Sequence, residues 1–245
     1  MHSVALTTRP VLHDSHPSKQ ASDRRWITGT EWVMTLGIVA IVLMHVTSTR
    51  SFFGDALSSY AFSPLDSVLF AISVLSLAVC AVLIPLSLHS AGLKVGIGTK
   101  ALFGAWGSGL TAAVMFPAAY GEHPDLTSGA IHQYSCALAF TALPASMIGV
   151  IREARRSGVL ALSRLPLTRL LRIAITCLAF FGLSYLAEKL SQLGIFDAIS
   201  IILPVAMTQR IVLGADIVVL AGVVLLAART LDQRGYDDHE SGHQQ

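Results

Sequence analysis

Charge is what this chain has least of. Asp, Glu, Lys and Arg make up 13% of its 245 residues, against 53% hydrophobic, where an average globular domain carries about 25% charged residues. Roughly half of the usual solvated surface is therefore missing. Cysteine is scarce as well: Cys80, Cys136 and Cys177 all lie in apolar stretches and no two form a C-x-x-C. Nothing implies a disulfide or a thiolate metal site, and the three read as small packing residues. There is no G-x-S-x-G, no P-loop, no H-E-x-x-H and no inward pair of acids, so no cofactor and no metal is expected. The N-terminal region lacks a short apolar core followed by a small-residue cleavage site, which argues against a removable signal peptide. The formal net charge of +2 is too small for a nucleic-acid footprint and reads as topogenic charge and contact with anionic lipid.

What is present is six long apolar stretches, at about residues 32–48, 68–88, 101–120, 130–151, 170–187 and 205–228. Helices of about 17–25 residues cross about 30 Å of hydrocarbon. The loops between them alternate in charge. Of the 17 Lys and Arg residues, all but Arg50, Lys189 and Arg210 fall on one side of the implied membrane. That bias places the basic side in the cytoplasm. The expectation is an all-α integral membrane bundle of six transmembrane helices in the cell membrane, with the N-terminus and the C-terminus both cytoplasmic. Residues 1–25 read as a disordered cytoplasmic tail, residues 26–228 as the six-helix domain, and residues 229–245 as a second cytoplasmic tail. The stretch 193–207, interrupted by Asp197 and Pro204, is too short for a seventh span and reads as interfacial or re-entrant.

Local signals refine the spans. Gly104, Gly107 and Gly109 in the third are small residues that let helices approach closely, and the third and sixth spans offer such faces for oligomer contacts. Thr127 or Ser128 can cap the fourth, which carries Pro144 mid-way, and Pro204 suits the start of the sixth.

Polar residues at membrane depth are costly and therefore few. Asp216 sits mid-way along the sixth span, where a carboxyl must be protonated, paired or facing a water-filled cavity. Gln209 lies seven residues earlier on the same face, while Gly214 and Ala215 beside it allow a neighbouring helix to come close. His132 falls in the first turn of the fourth span, where an electropositive helix N-terminus helps keep an imidazole neutral as a base or ligand. His45 lies near the outer end of the first span and Arg210 near the outer end of the sixth. Asp216 and His132 are the catalytic candidates, as acid and base; Arg210, His45 and Gln209 are the ligand-binding candidates, with Arg210 suited to an anionic head group. His132, Arg210, Asp216 and His45 are expected to converge in one bundle interior. The loop Glu122-His123-Pro124-Asp125 matches no metal spacing and reads as a solvated acidic loop.

Three segments resemble a known family: DALSSYAFSPLDSVLFAISVLSLAVCAVLIPLSLHSAG from Asp55, FPAAYGEHPDLTSGAIHQYSCALAFTALPAS from Phe116, and QRIVLGAD from Gln209. They are similar to an actinobacterial multi-pass membrane family catalogued as domain of unknown function 998. Members show an "SxYA" loop, an "FP(T)DP … G-x-I-H-x-x-A" entry into a helix, and an "R-x-x-x-x-A-D" start to the last span. Here Ser59 and Tyr60, then Phe116, Pro117, Gly129, Ile131 and His132, then Arg210, Ala215 and Asp216 stand at those places. After Phe116-Pro117 this chain has Ala118-Ala119-Tyr120 instead of Thr-Asp-Pro, and so lacks an acid there. The resemblance implies fold and topology and carries no reaction.

Three functions fit these residues. The first is an enzyme or binder for a lipophilic small molecule, a lipid or isoprenoid, with a terpene-cyclase-like protonation by Asp216 as a special case. An ion-coupled transporter and a non-catalytic membrane assembly partner are the others. Topology is the reading most directly checked. Reporter fusions after Arg156 and at the C-terminus should report cytoplasm and a fusion after Asp125 the outside; an external signal at the C-terminus would overturn six spans.

Overall fold

A computed structural model describes residues 17–120, 124–159, 161–191 and 204–242, with side chains described over 22–120, 124–159, 165–191 and 204–234. The described residues form six α-helices: α1 Pro17–Thr47, α2 Pro64–Ser90, α3 Ile97–Met115, α4 Leu126–Arg156, α5 Ala161–Ser191 and α6 Val205–Gly242. A short 3-10 helix, Leu57–Phe62, precedes α2. Among the described residues there is no strand. Each helix packs on the next in sequence, and α6 returns to α1 and α2, giving an up-and-down bundle. The ion pair Arg24–Asp232 shows that α1 begins where α6 ends. That end is called the terminal face below, and the end carrying residues 48–63, 116–120 and 124–125 the distal face.

Among the described residues five helices are long and apolar enough to cross a membrane: Ser22–Thr47, Pro64–Ser90, Leu126–Arg156, Leu165–Ser191 and Val205–Arg234. The protein is thus a multi-pass membrane protein. Its lateral surface agrees, with Leu36 54%, Val82 63%, Ile173 56% and Val218 50% exposed in mid-helix; a belt of bare apolar side chains needs lipid to cover it. Helix α3, the third of the six apolar stretches, falls short in apolarity, because Lys100, Ser108 and its glycines dilute 19 residues. Its length of about 28 Å still matches the hydrocarbon.

Several boundaries differ from the sequence reading. Helix α1 already runs from Pro17, through residues assigned to a disordered tail; residues 1–16 lie outside the described ones. Helix α6 continues to Gly242, through most of the expected C-terminal tail. The Arg24–Asp232 pair and the Arg234 side chain lying over Gly92 dock both extensions onto the bundle. Gly92 itself turns the chain after α2 at φ +78°, a left-handed conformation that glycine adopts without strain. Helix α4 is capped by Asp125 rather than by Thr127 or Ser128: its carboxylate accepts from Thr127 N at 2.9 Å and Ser128 N at 3.0 Å. A charged acceptor suits the positive end of the helix better than a hydroxyl. The interfacial segment expected at 193–207 lies outside the described residues up to 203.

Small residues set the helix spacing. A side chain on Gly37 would meet Ser73 O at 3.1 Å, one on Gly107 Ala81 Cβ at 2.8 Å, and one on Gly109 Ser135 O at 2.8 Å. The small face of α3 is therefore occupied by α2 and α4 of the same chain. Gly104 meets nothing within 4 Å. Hydroxyls inside the helices bond to carbonyls one turn back, as Thr30 does to Trp26 O at 2.8 Å and Thr111 to Gly107 O at 2.8 Å, since no water is at hand. Thr30 and Ser87 also bridge α1 to α2 at 2.9 Å.

The main core, including Leu77, Ile84, Leu143, Met147, Leu220 and Val223, fills the terminal half and the middle. A small separate cluster of Met44, Leu57 and Tyr60 closes the distal end. Open space lies between the two. Gly109→Val should overpack the α3–α4 contact and cost about 1–3 kcal/mol, read as a lower melting midpoint in detergent. Gly104→Val should leave the midpoint unchanged; equal midpoints for the two variants would contradict this packing.

Candidate functional site

Helix phase aims three polar residues at the open space. Gln209 and Asp216 are separated by two turns of α6, and His132 lies one turn and a half into α4. All three line a cavity of about 70 Å³ between α2, α3, α4 and α6, whose other polar walls are Ser58 and Cys136. The rest is apolar or aromatic, with Trp106 from α3 and Leu220 at its deeper part. The space suits a few waters.

Asp216 is 6% exposed and makes no hydrogen bond to any described residue. Among the described residues, every fully enclosed side-chain nitrogen or oxygen has a partner. The Asp216 carboxyl is thus not sealed in protein, and the surface it keeps is cavity wall. That is an expensive arrangement for a carboxyl in hydrocarbon unless something in the cavity bonds to it.

His132 is held from the other side. Its Nδ1 lies 2.8 Å from Ala113 O and 2.9 Å from Phe116 O. Carbonyls only accept, so Nδ1–H donates and satisfies orphan carbonyls at the end of α3. Nε2 lies 3.5 Å from Cys136 Sγ and is the ring nitrogen left for chemistry. The imidazole is fixed in tautomer and orientation before anything binds.

A strap, residues 48–63, covers the distal side. Gln209 Oε1 accepts from Leu57 N at 3.0 Å. Arg210 donates through Nη1 to Asp55 O at 2.8 Å and through Nη2 to Tyr60 Oη at 3.1 Å. The guanidinium stacks on Phe52 with 4.9 Å to the ring centre. Ser58 Oγ lies 3.3 Å from Tyr120 Oη, which joins the strap to the segment after α3. Asp66 ties the two ends of the strap together by accepting from Ser48 Oγ at 2.7 Å and from Ser63 Oγ.

Arg210 and His45 belong to a different space from Asp216 and His132. They line a groove of about 310 Å³ between α1 and α6, and Leu57, Leu213 and Ile217 form the wall it shares with the cavity. The convergence of four residues in one interior is therefore replaced by two neighbouring pairs. Six positions turn a helix by about 240°, so Arg210 faces α1 while Asp216 faces α2 and α4. His45 donates through Nδ1 to Ile41 O at 2.7 Å and accepts at Nε2 from Arg210 Nε at 3.2 Å. An arginine cannot accept, so this imidazole is neutral and acts as a fixed acceptor. Gly214, expected to admit a neighbouring helix, has nothing within 4 Å and opens to the groove.

Sequence reasoning missed Trp106, Ser58, Cys136 and the Tyr60–Phe52 pair. Cys136 was within reach, four residues after His132 on the same face. Asp66 also had a signal, since Ser63-Pro64-Leu65-Asp66 has the spacing of a helix-capping box. Nothing local marks Trp106. Glu122 and His123 lie outside the described residues, and among those described no group of three or more metal-ligating side chains comes together.

A family model described as "Protein of unknown function (DUF998)" matches residues 33–226, from α1 to α6. No curated protein and no solved structure matches the chain. Two of the segments carrying the family resemblance touch here, through Tyr60 and Arg210.

Gln209→Ala should loosen the strap without altering the cavity floor. One buried hydrogen bond contributes about 0.5–1.5 kcal/mol, so amide exchange at Leu57 should speed up by about 2- to 12-fold. Unchanged exchange would show that Gln209 does not hold the strap.

Proposed function

We propose a function from the residues of this chain itself, since the chain belongs to the DUF998 family and that description assigns none: it binds a lipophilic small molecule and acts on its polar end in the Asp216–His132 cavity. The carrying observation is the unpartnered Asp216 carboxyl, 6% exposed, opening on a cavity that also presents Nε2 of an orientated His132. An acid and a base on one small space, away from bulk water, are what proton transfer to and from a bound group requires. Substrate pockets run to about 300–1,000 Å³, several times the 70 Å³ here. The cavity therefore takes the polar end of a lipid or isoprenoid, with the chain left in the bilayer. A terpene-cyclase-like reaction, which folds a whole isoprenoid inside the protein, is disfavoured by that volume.

In this reading the protein sits in the cell membrane with six spans. Helix α3 counts as one because its 19 residues lie between α2 and α4, which both span. Among the described residues the only basic ones towards the distal face are Arg50, Lys189 and Arg210, so that face is external and both termini are cytoplasmic. The cavity then sits in the outer half.

A second reading has one observation in its favour. Water-sized space beside a carboxyl and an imidazole also suits a proton relay in an ion-coupled carrier.

The test is complementation of a strain lacking the gene, followed by untargeted lipid and metabolite profiles. Asp216→Asn keeps size and hydrogen bonding but cannot exchange a proton, and should lose the wild-type effect while folding normally. His132→Asn places an amide donor near Nδ1, preserving the α3 cap while removing Nε2, and should lose it too. A lipophilic product made only by wild type supports the enzyme; altered proton-coupled uptake without a new product supports the carrier. Full rescue by both variants would leave Asp216 and His132 as packing residues.

A further inference from the structure

The groove between α1 and α6 is a site in its own right. Arg210 is half-buried, yet every group its guanidinium touches is neutral: His45 Nε2, Asp55 O, Ala206 O and Tyr60 Oη. The one ion pair among the described residues, Arg24–Asp232, is at the opposite end of the bundle. Of the five guanidinium hydrogens, one goes to His45, two from Nη1 go to the carbonyls and one from Nη2 goes to Tyr60. One Nη2 hydrogen has no acceptor among the described residues. Among the described residues no carboxylate lies within ion-pair distance of this guanidinium, on the side of the bundle where basic residues are rare.

Depth gives the groove its polarity. Arg210 lies near the start of α6 and His45 near the end of α1, both at the distal ends of their helices, where a spanning helix meets lipid head groups. Gly214 and Ile217 continue the groove one and two turns deeper on α6, about 10 Å towards the membrane centre. Val42 and Val46 form the α1 wall and are 53% and 76% exposed, so the groove opens sideways into lipid. No described atom lies within 4 Å of a side chain built on Gly214. A cation at head-group depth above an apolar channel running into the hydrocarbon complements an anionic phospholipid, with its phosphate on Arg210 and one acyl chain over Gly214.

We propose that this groove binds one anionic phospholipid, through Arg210 at the head and the α1–α6 channel along the chain. The site does not depend on any reaction at Asp216. Native mass spectrometry of delipidated protein, titrated with phosphatidylglycerol or phosphatidylcholine, tests it. Phosphatidylglycerol should be retained as a single copy at least about 5-fold more tightly than phosphatidylcholine. Gly214→Leu fills the channel without touching the Arg210 contacts and should weaken that retention about 5-fold or more. Val42→Trp should do the same from the α1 side, which keeps the test open should one variant fold poorly. Asp216→Asn should retain the lipid unchanged, so failure here and failure of the cavity reading remain distinguishable. Equal retention of the two lipids would overturn the proposal. So would undiminished phosphatidylglycerol binding by folded Gly214→Leu and Val42→Trp, or displacement of the lipid by equimolar inorganic phosphate.

Discussion

Inside hydrocarbon a polar group has only the protein to bond to, and that constraint organises this bundle. Hydroxyls on α1, α3 and α4 return to carbonyls of their own helices, or bridge helices as Thr30 and Ser87 do. The orphan carbonyls at the end of α3 take the His132 proton. Arg210 spreads four of its hydrogens over neutral acceptors from α1, α6 and the strap. Against that near-complete pairing, the bare carboxyl of Asp216 is an exception, and it faces open space.

Adjacent residues of α6 divide the labour. Gln209 reaches the strap from the cavity side and Arg210 from the groove side, so the 3-10 segment is tied down on both flanks. Leu57, whose backbone Gln209 holds, lines both spaces together with Leu213 and Ile217. Those three apolar side chains separate the Asp216–His132 pair from Arg210 and His45. The strap therefore bears on cavity and groove at once.

The helices were legible in the sequence because apolar runs of sufficient length are separated by polar loops, and burial in lipid leaves little freedom in how such runs fold. Their ends were less legible. Residues 17–25 and 229–242 are polar, so hydropathy gives no reason to extend the helices there; the support is tertiary, from Arg24–Asp232 and from Arg234 over Gly92. Asp216, Gln209 and His132 stood out as polar residues in apolar surroundings, and the seven-residue spacing put the first two on one face. The split from Arg210 and His45 was only half legible. Helical phase separates Arg210 from Asp216, but the wall between them includes Leu57 from the strap, and no local pattern predicts where a strap will lie. Trp106 enters the cavity through the close α2–α3 approach at Gly107, a consequence of packing that one helix alone does not reveal.

The central claim is that the Asp216 carboxyl faces the cavity opposite His132 and bonds to what the cavity holds. Electron cryo-microscopy of the protein in lipid nanodiscs, at a resolution that shows ordered water, measures this directly. The account predicts ordered density, water or ligand, within hydrogen-bonding distance of the Asp216 carboxyl and bordered by His132 Nε2. A carboxyl bonded directly to a protein donor, with no density between it and His132, would contradict it.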